Sequence, residues 1–132
     1  MGIVENKEAL YRCIELFNEC TLEWVDTCYS KELIWNEMPT QSFPKGRSGG
    51  FNEFRNTAGQ KLRIFPNQTL SVKKSVAEGD YVVFEQEWKG IVAIAMGNYK
   101  IGDNIYMKIV TFFKLKNGLI IEHTDYPISI TQ

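Results

Sequence analysis

Residues 111–127 read TFFKLKNGLIIEHTDYP. An alternating aromatic run meets Asn117-Gly118, the dipeptide most characteristic of a two-residue hairpin turn, and a second apolar run follows. The stretch predicts two long antiparallel strands, over 105–116 and 119–130. The second starts as core, with Leu119, Ile120 and Ile121, and then presents the chain's single histidine, His123, and Asp125 two residues later. In a regular strand Ile121, His123 and Asp125 share one face, while Ile120, Glu122, Thr124 and Tyr126 share the other. A β-bulge exchanges the faces beyond it.

Working upstream, YVVFEQEWKG places Val82, Phe84, Gln86 and Trp88 on one face and Glu85, Glu87 and Lys89 on the other. The even face is expected to meet a helical layer, and Gln86 then needs a buried partner. In the strand over 105–116, Ile105, Met107, Ile109, Phe113 and Leu115 share a face. Tyr106, Lys108, Val110 and Phe112 share the other, so the back of the sheet is partly apolar too. That predicts a covered back and hence a homodimer through the sheet. QTLSVKKSVAEG, ending in a Gly-Asp turn, and ELIWNEMP, closed by Pro39, supply two further strands. MGNYKIGDN and TQSFPKGRSGG are loops by their glycine, proline and serine content.

The front of the chain is helical. Leu10, Cys13, Ile14, Phe17 and Cys20 recur at spacings of three and four. Thr21 suits the cap of a short second helix that carries Leu22, Val25 and Cys28 inward. A third helix is predicted from near Ser48, with Phe51, Phe54, Ala58, Leu62 and Phe65 in step, and Pro66 ends it. Arg47 is expected to order the start of this helix. Helices first and strands after make an α+β fold, read as a single domain over 1–132.

Composition sets bounds on partners. A chain of 132 residues with 44% hydrophobic and 23% charged residues suits one globular core. A formal net charge of -1 gives no basic surface for nucleic acid or an anionic membrane. MGIVENKEAL turns polar after four residues and reads as neither a secretory signal nor an acylation site. No apolar run reaches the roughly 18 residues of a membrane span. Cys13, Cys20 and Cys28 are odd in number and lack a CxxC, so a disulfide framework and a zinc site are not expected. All three are expected to be reduced thiols in a cytoplasmic protein. RSGG lacks the glycine spacing of a phosphate loop.

The stretches LEWVDTCYSKELIWNEMP, KGRSGGFNEF, FPNQTLSVKKSVAEGDYVVFEQEWKG and TFFKLKNGLIIEHTDYP together resemble the SnoaL-like branch of the NTF2-like superfamily. The most telling part is the aromatic strand, the Asn-Gly turn and Glu-His-x-Asp-Tyr. The resemblance implies a cone: a curved antiparallel sheet over three N-terminal helices, with a pocket between them and a homodimer through the sheets. In SnoaL-like polyketide cyclases the aspartate of this motif is the proposed acid/base. By residue-wise match it is Asp125, with His123 bonding to it or orienting a ligand.

In an apolar pocket the Asp125 carboxyl is expected to titrate above its ordinary value. The alternative is that Asp125 ties the last strand to the first helix, with its pKa then lowered, and that His123 is a satisfied, partly exposed side chain. Glu37 in IWNEMP is a second candidate acid. Steroid isomerases of the superfamily keep their base directly before a proline, but Met38 separates Glu37 from Pro39. Their helix-1 tyrosine falls near Cys13, with Tyr11 on another side of the helix. Met107 or Lys108 stands where their second buried acid would be. Steroid isomerisation is therefore not expected, nor is epoxide hydrolysis by an Asp-Arg-Asp set, since the last four strands hold no arginine.

Trp24, Trp35, Trp88 and Phe51 suit a packed core. Where the pocket is open, Trp35 and Trp88, with Gln86 and Phe51, are its expected ligand-binding lining. No metal and no cofactor are expected. Three functions remain open. One is acid/base chemistry, such as cyclisation or isomerisation, on a small apolar carbonyl compound. The others are non-catalytic binding of such a molecule, and a dimeric interaction module.

Overall fold

The Asn117-Gly118 turn forms with both residues at positive φ, 52° and 79°, the backbone that a tight hairpin needs and that an Asn-Gly pair tolerates. The structure is a computed structural model and describes residues 2–129. Met1 and residues 130–132, including Ile130 at the end of the expected last strand, lie outside the described residues. In chain order the elements are α1 (Ile3–Phe17), α2 (Glu23–Cys28), β1 (Tyr29–Glu37), β2 (Arg47–Gly49), α3 (Phe51–Ile64), β3 (Thr69–Glu78), β4 (Tyr81–Ile91), β5 (Asn104–Lys116) and β6 (Leu119–Ser129). The class is α+β, with three helices packed on one curved six-stranded sheet, as the sequence and its resemblance implied.

The sheet runs in the order β2-β1-β6-β5-β4-β3. It is antiparallel except that β1 lies parallel to β6, with Trp35 opposite His123 and Glu37 opposite Asp125. This pairing joins strands far apart in the chain. It brings the end of β1 beside the end of the Glu-His-x-Asp stretch.

A bulge occurs in β6. Leu115 pairs with Ile120 but Lys114 with Glu122, which leaves Ile121 as the extra residue. Its effect is to put Ile120 and His123, three positions apart, both inside, at 1% and 7% exposure. Because the bulge precedes them, His123 and Asp125 still share a face.

The core lies between the helices and the concave side of the sheet. Leu10, Val25, Val82, Phe84, Trp88 and Ile120 are fully buried there. The even face of β4 is the inner one, as its alternation predicted. α1 ends at Phe17, so Cys20 falls outside it, in a left-handed turn at φ 60°. The Thr21 hydroxyl accepts the Glu23 N–H at the start of α2. The expected loop at 40–50 contains the short strand β2. Gly46 permits it: a Cβ there would stand 2.5 Å from the Glu37 carbonyl oxygen. α3 accordingly starts at Phe51, where the Glu53 carboxylate accepts the Gly50 N–H at 2.8 Å. Arg47 stands in β2 rather than at that helix start.

The expectation of three reduced thiols is overturned. Cys13 and Cys28 are joined by a disulfide, with Cα atoms 6.2 Å apart. Residues 18–22 reverse the chain, so α2 returns beside α1 and its last residue meets the middle of α1. Cys20 alone is free, and its thiol points at the Gln68 carbonyl oxygen, 3.3 Å away. The ground for expecting a reducing compartment is thereby removed.

Candidate active site

A cavity of about 100 Å³ lies under the helices, walled mainly by Leu10, Phe17, Trp24, Phe54, Ile109, Phe113 and other apolar groups. Its polar wall is built by the sheet. β6 contributes His123 and Asp125, β5 Thr111, β4 Gln86 and Trp88, and β1 Tyr29, Trp35 and Glu37. From α3 come Thr57 and Lys61.

A chain of hydrogen bonds links four strands. The Gln86 amide donates to the Thr111 hydroxyl at 3.0 Å, and that hydroxyl donates to Asp125 Oδ1 at 2.6 Å. His123 Nε2 lies 2.8 Å from the same Oδ1, and His123 Nδ1 lies 2.8 Å from the Tyr29 hydroxyl. An ionised carboxylate can only accept. Nε2 therefore carries the hydrogen, and the hydrogen shared by Nδ1 and Tyr29 sits on the Tyr29 hydroxyl when the ring is neutral and on Nδ1 when the ring is protonated. Both donors meet Oδ1; Asp125 Oδ2 takes no bond from a protein donor among the described residues. Gln86, the polar exception on its face, has its partner.

The electrostatics run against the raised pKa expected of an acid/base in an apolar pocket and agree with the lowered pKa expected of a hydrogen-bonded structural aspartate. Burial by itself would push its carboxyl up. The adjacent His123, by charge and hydrogen bond, together with the Thr111 hydroxyl and the Lys61 charge, more than offsets that, and the pKa is lowered. The Tyr29 hydroxyl is pushed well above its ordinary range, first by burial and then by the Asp125 charge. Lys61 is lowered, chiefly by burial, with Asp125 and Glu37 opposing and Arg47 assisting.

His123 is buried rather than partly exposed. Its ring packs among those of Phe54, Phe113 and Tyr29, at centroid distances of 5.0, 5.2 and 5.7 Å. Asp125 is tied to β5 through Thr111, not to the first helix. Glu37 reaches the wall but is gripped by Arg47 in a two-pronged pair, at 2.9 and 3.1 Å, so neither oxygen is a free base. Arg47 also stacks 3.8 Å over Phe43.

Trp35, Trp88 and Gln86 line the cavity. Trp88 donates its indole N–H to Gln68 at 2.9 Å, whereas the buried Trp35 Nε1–H has no partner among the described residues. Phe51 does not line the cavity. It is buried at the first residue of α3, with the Lys31 ammonium 3.8 Å over its ring; Phe54, one turn later, lines the wall in its place. Tyr11 points elsewhere, to Ser75 at 3.2 Å. Among the described residues no three acidic, histidine or cysteine side chains gather as a metal site.

Sequence reasoning passed over Tyr29, Thr111 and Lys61. Thr111 had a signal: it is the polar gap in the apolar row Ile109, Phe113, Leu115. Lys61 had one as well, since Phe54, Ala58, Lys61 and Phe65 keep helical spacing. Tyr29 had none, because its strand was expected to begin only at Glu32.

The fold and this polar wall define a helix-covered cone of the NTF2 and ketosteroid isomerase type. The family model of SnoaL-like polyketide cyclases matches residues 7–130, and the chain belongs to that family. Solved structures agree in fold. IdmH, a proposed polyketide cyclase from Streptomyces antibioticus, superposes with a TM-score of 0.77 at 20% identity, covering 92% of this chain and 91% of that one. AclR, a proposed hydroxylase from Streptomyces galilaeus, gives 0.81 at 18% identity over 96% of this chain and 80% of its own. AusH from Aspergillus nidulans gives 0.81 at 17% identity, over 99% and 88%. No curated protein matches the sequence. No helix among the described residues is long and apolar enough to cross a membrane.

Proposed function

We propose that the cavity binds a small, mainly apolar carbonyl compound and that Asp125 moves a proton on it, in a cyclisation or isomerisation that needs no cofactor. One observation carries the reading: Asp125 is anchored through Oδ1 by two donors, while Oδ2, on a carboxylate that lines the cavity, is unclaimed. A fixed carboxylate with one free oxygen is the geometry of a general base. The lowered pKa sets the order of events. Asp125 rests ionised, so it takes a proton from carbon first and returns it afterwards. His123 and Thr111 orient it, and Tyr29 holds the His123 ring in place.

The same lowered pKa favours a second reading, a pocket that binds such a compound without turning it over. The two separate by hydrogen–deuterium exchange at the enolisable carbon of small aryl β-diketones in D₂O, followed by NMR. Acid/base function predicts accelerated exchange in the wild type and a loss of at least about 100-fold in Asp125→Asn. Ligand-induced thermal stabilisation without any exchange selects the binding reading.

For assembly, the proposal is a homodimer through the outer face of the sheet. Ile34, Phe112, Tyr126 and Ile128 stand there 59%, 44%, 43% and 60% exposed. The rings of Phe112 and Tyr126 pack together at 5.7 Å.

A further inference from the structure

The charged groups at the wall are paired, with one exception. Glu37 holds Arg47, and Asp125 holds His123. Lys61 has no carboxylate at ion-pair distance and no hydrogen-bond acceptor for its ammonium among the described residues. Its Nζ lies 4.3 Å from the centre of the Trp88 ring. Thr57, one turn earlier on α3, lines the same cavity. Half-buried, the ammonium rests against the Trp88 face on a mainly apolar wall, and its donors are left open to a ligand in the cavity.

We propose that Lys61 binds the carbonyl oxygen of the ligand and stabilises the enolate formed there, a role that rests on the acid/base reading of Asp125. In the step, the C–H bond next to the carbonyl breaks and its proton goes to Asp125 Oδ2. The C–H electron pair becomes the C=C bond, and the carbonyl π pair moves onto oxygen. Negative charge leaves Asp125 and appears on the ligand, so a cation must already stand where it arrives. Arg47 is occupied by Glu37; Lys61 is free. Asp125 then returns the proton to carbon, and Lys61 keeps its own protons throughout. The substrate class is narrowed accordingly, to compounds that present a carbonyl oxygen toward α3 and an enolisable carbon toward β6.

The test uses 4-nitrophenolate, a planar delocalised oxyanion, against 4-nitroaniline, a neutral molecule of the same shape, by calorimetry at a pH where the phenol is ionised. The wild type is expected to bind the phenolate at least about tenfold more tightly. Lys61→Met is expected to erase that preference and to leave the 4-nitroaniline affinity within about twofold. Lys61→Gln repeats the uncharged case should the methionine variant fail to fold, and Lys61→Arg keeps the preference. Asp125→Asn is expected to tighten phenolate binding, because a negative charge has left the wall. An undiminished preference in both uncharged variants, or a wild type without preference or without phenolate binding, overturns the assignment. Lost β-diketone exchange with a Lys61-dependent phenolate site intact removes the role of Asp125 alone. Intact exchange without that site removes the role of Lys61 alone.

Discussion

At the scale of the residue, Asp125 decides most. Its pKa lies below the ordinary 3.8 because the donors around it outweigh burial. A carboxyl with a lowered folded pKa stabilises the fold above its unfolded value, and loses that contribution as pH falls through the folded one. The wild type should therefore lose stability on acidification below about pH 4 more steeply than Asp125→Asn, whose amide does not titrate. Melting temperatures taken across the acid range measure the difference; parallel curves would show that the hydrogen bonds contribute nothing. At neutral pH the same substitution should cost about 1–3 kcal/mol, since the Thr111 and His123 donors lose a charged acceptor. That is a fraction of the ~5–15 kcal/mol typical of a domain, so the variant stays folded for the exchange test. Tyr29→Phe strips His123 Nδ1 of its partner in a buried place. It is expected to cost a similar amount, again about 1–3 kcal/mol in a denaturation midpoint.

Elements show what a sequence can and cannot disclose. Hairpin β5-β6 was legible because Asn117-Gly118 has a local backbone requirement. The inner face of β4 was legible because alternation has a period of two. Three residues of β2 are too few to show any period, and they hide in a loop rich in glycine and proline. The parallel pairing of β1 with β6 has no local signal at all, yet it brings Glu37 beside Asp125. The bulge at Ile121 could be named as a possibility but not located from the side chains. The disulfide follows from the turn between α1 and α2, which spacing in the chain does not reveal. It predicts one thiol, Cys20, reactive under denaturing conditions without reductant, and three after reduction. For a loop of about 15 residues, reduction should lower stability by about 3 kcal/mol. Three thiols without reductant would show that the bond does not form.

On the scale of the whole molecule, the two faces of one sheet differ in make-up. Its concave side carries the site, and its convex side carries an apolar strip that one chain leaves uncovered. Register places Val110 opposite Tyr126, Phe112 opposite Thr124 and Lys108 opposite Ile128, so the strip is continuous across β5 and β6. Its flanks are charged: Lys114 and Glu122 sit 3.7 Å apart at one end. An apolar centre with a polar rim is the make-up of a pairing surface, and a two-fold axis through it would bring each strip onto its own copy. Tyr126→Glu puts a charge at the centre of that surface and touches nothing on the cavity side. It is expected to turn a dimer into a monomer in sedimentation velocity at micromolar concentration, with the melting temperature changed only as far as dissociation requires. Asp125 is the neighbour of Tyr126 in β6 but faces the other way, so β-diketone exchange per chain should survive in the monomer. A wild type that sediments as a monomer at the same concentration refutes the pairing. A monomeric Tyr126→Glu that also loses exchange would show instead that the two faces of β6 are coupled through the strand.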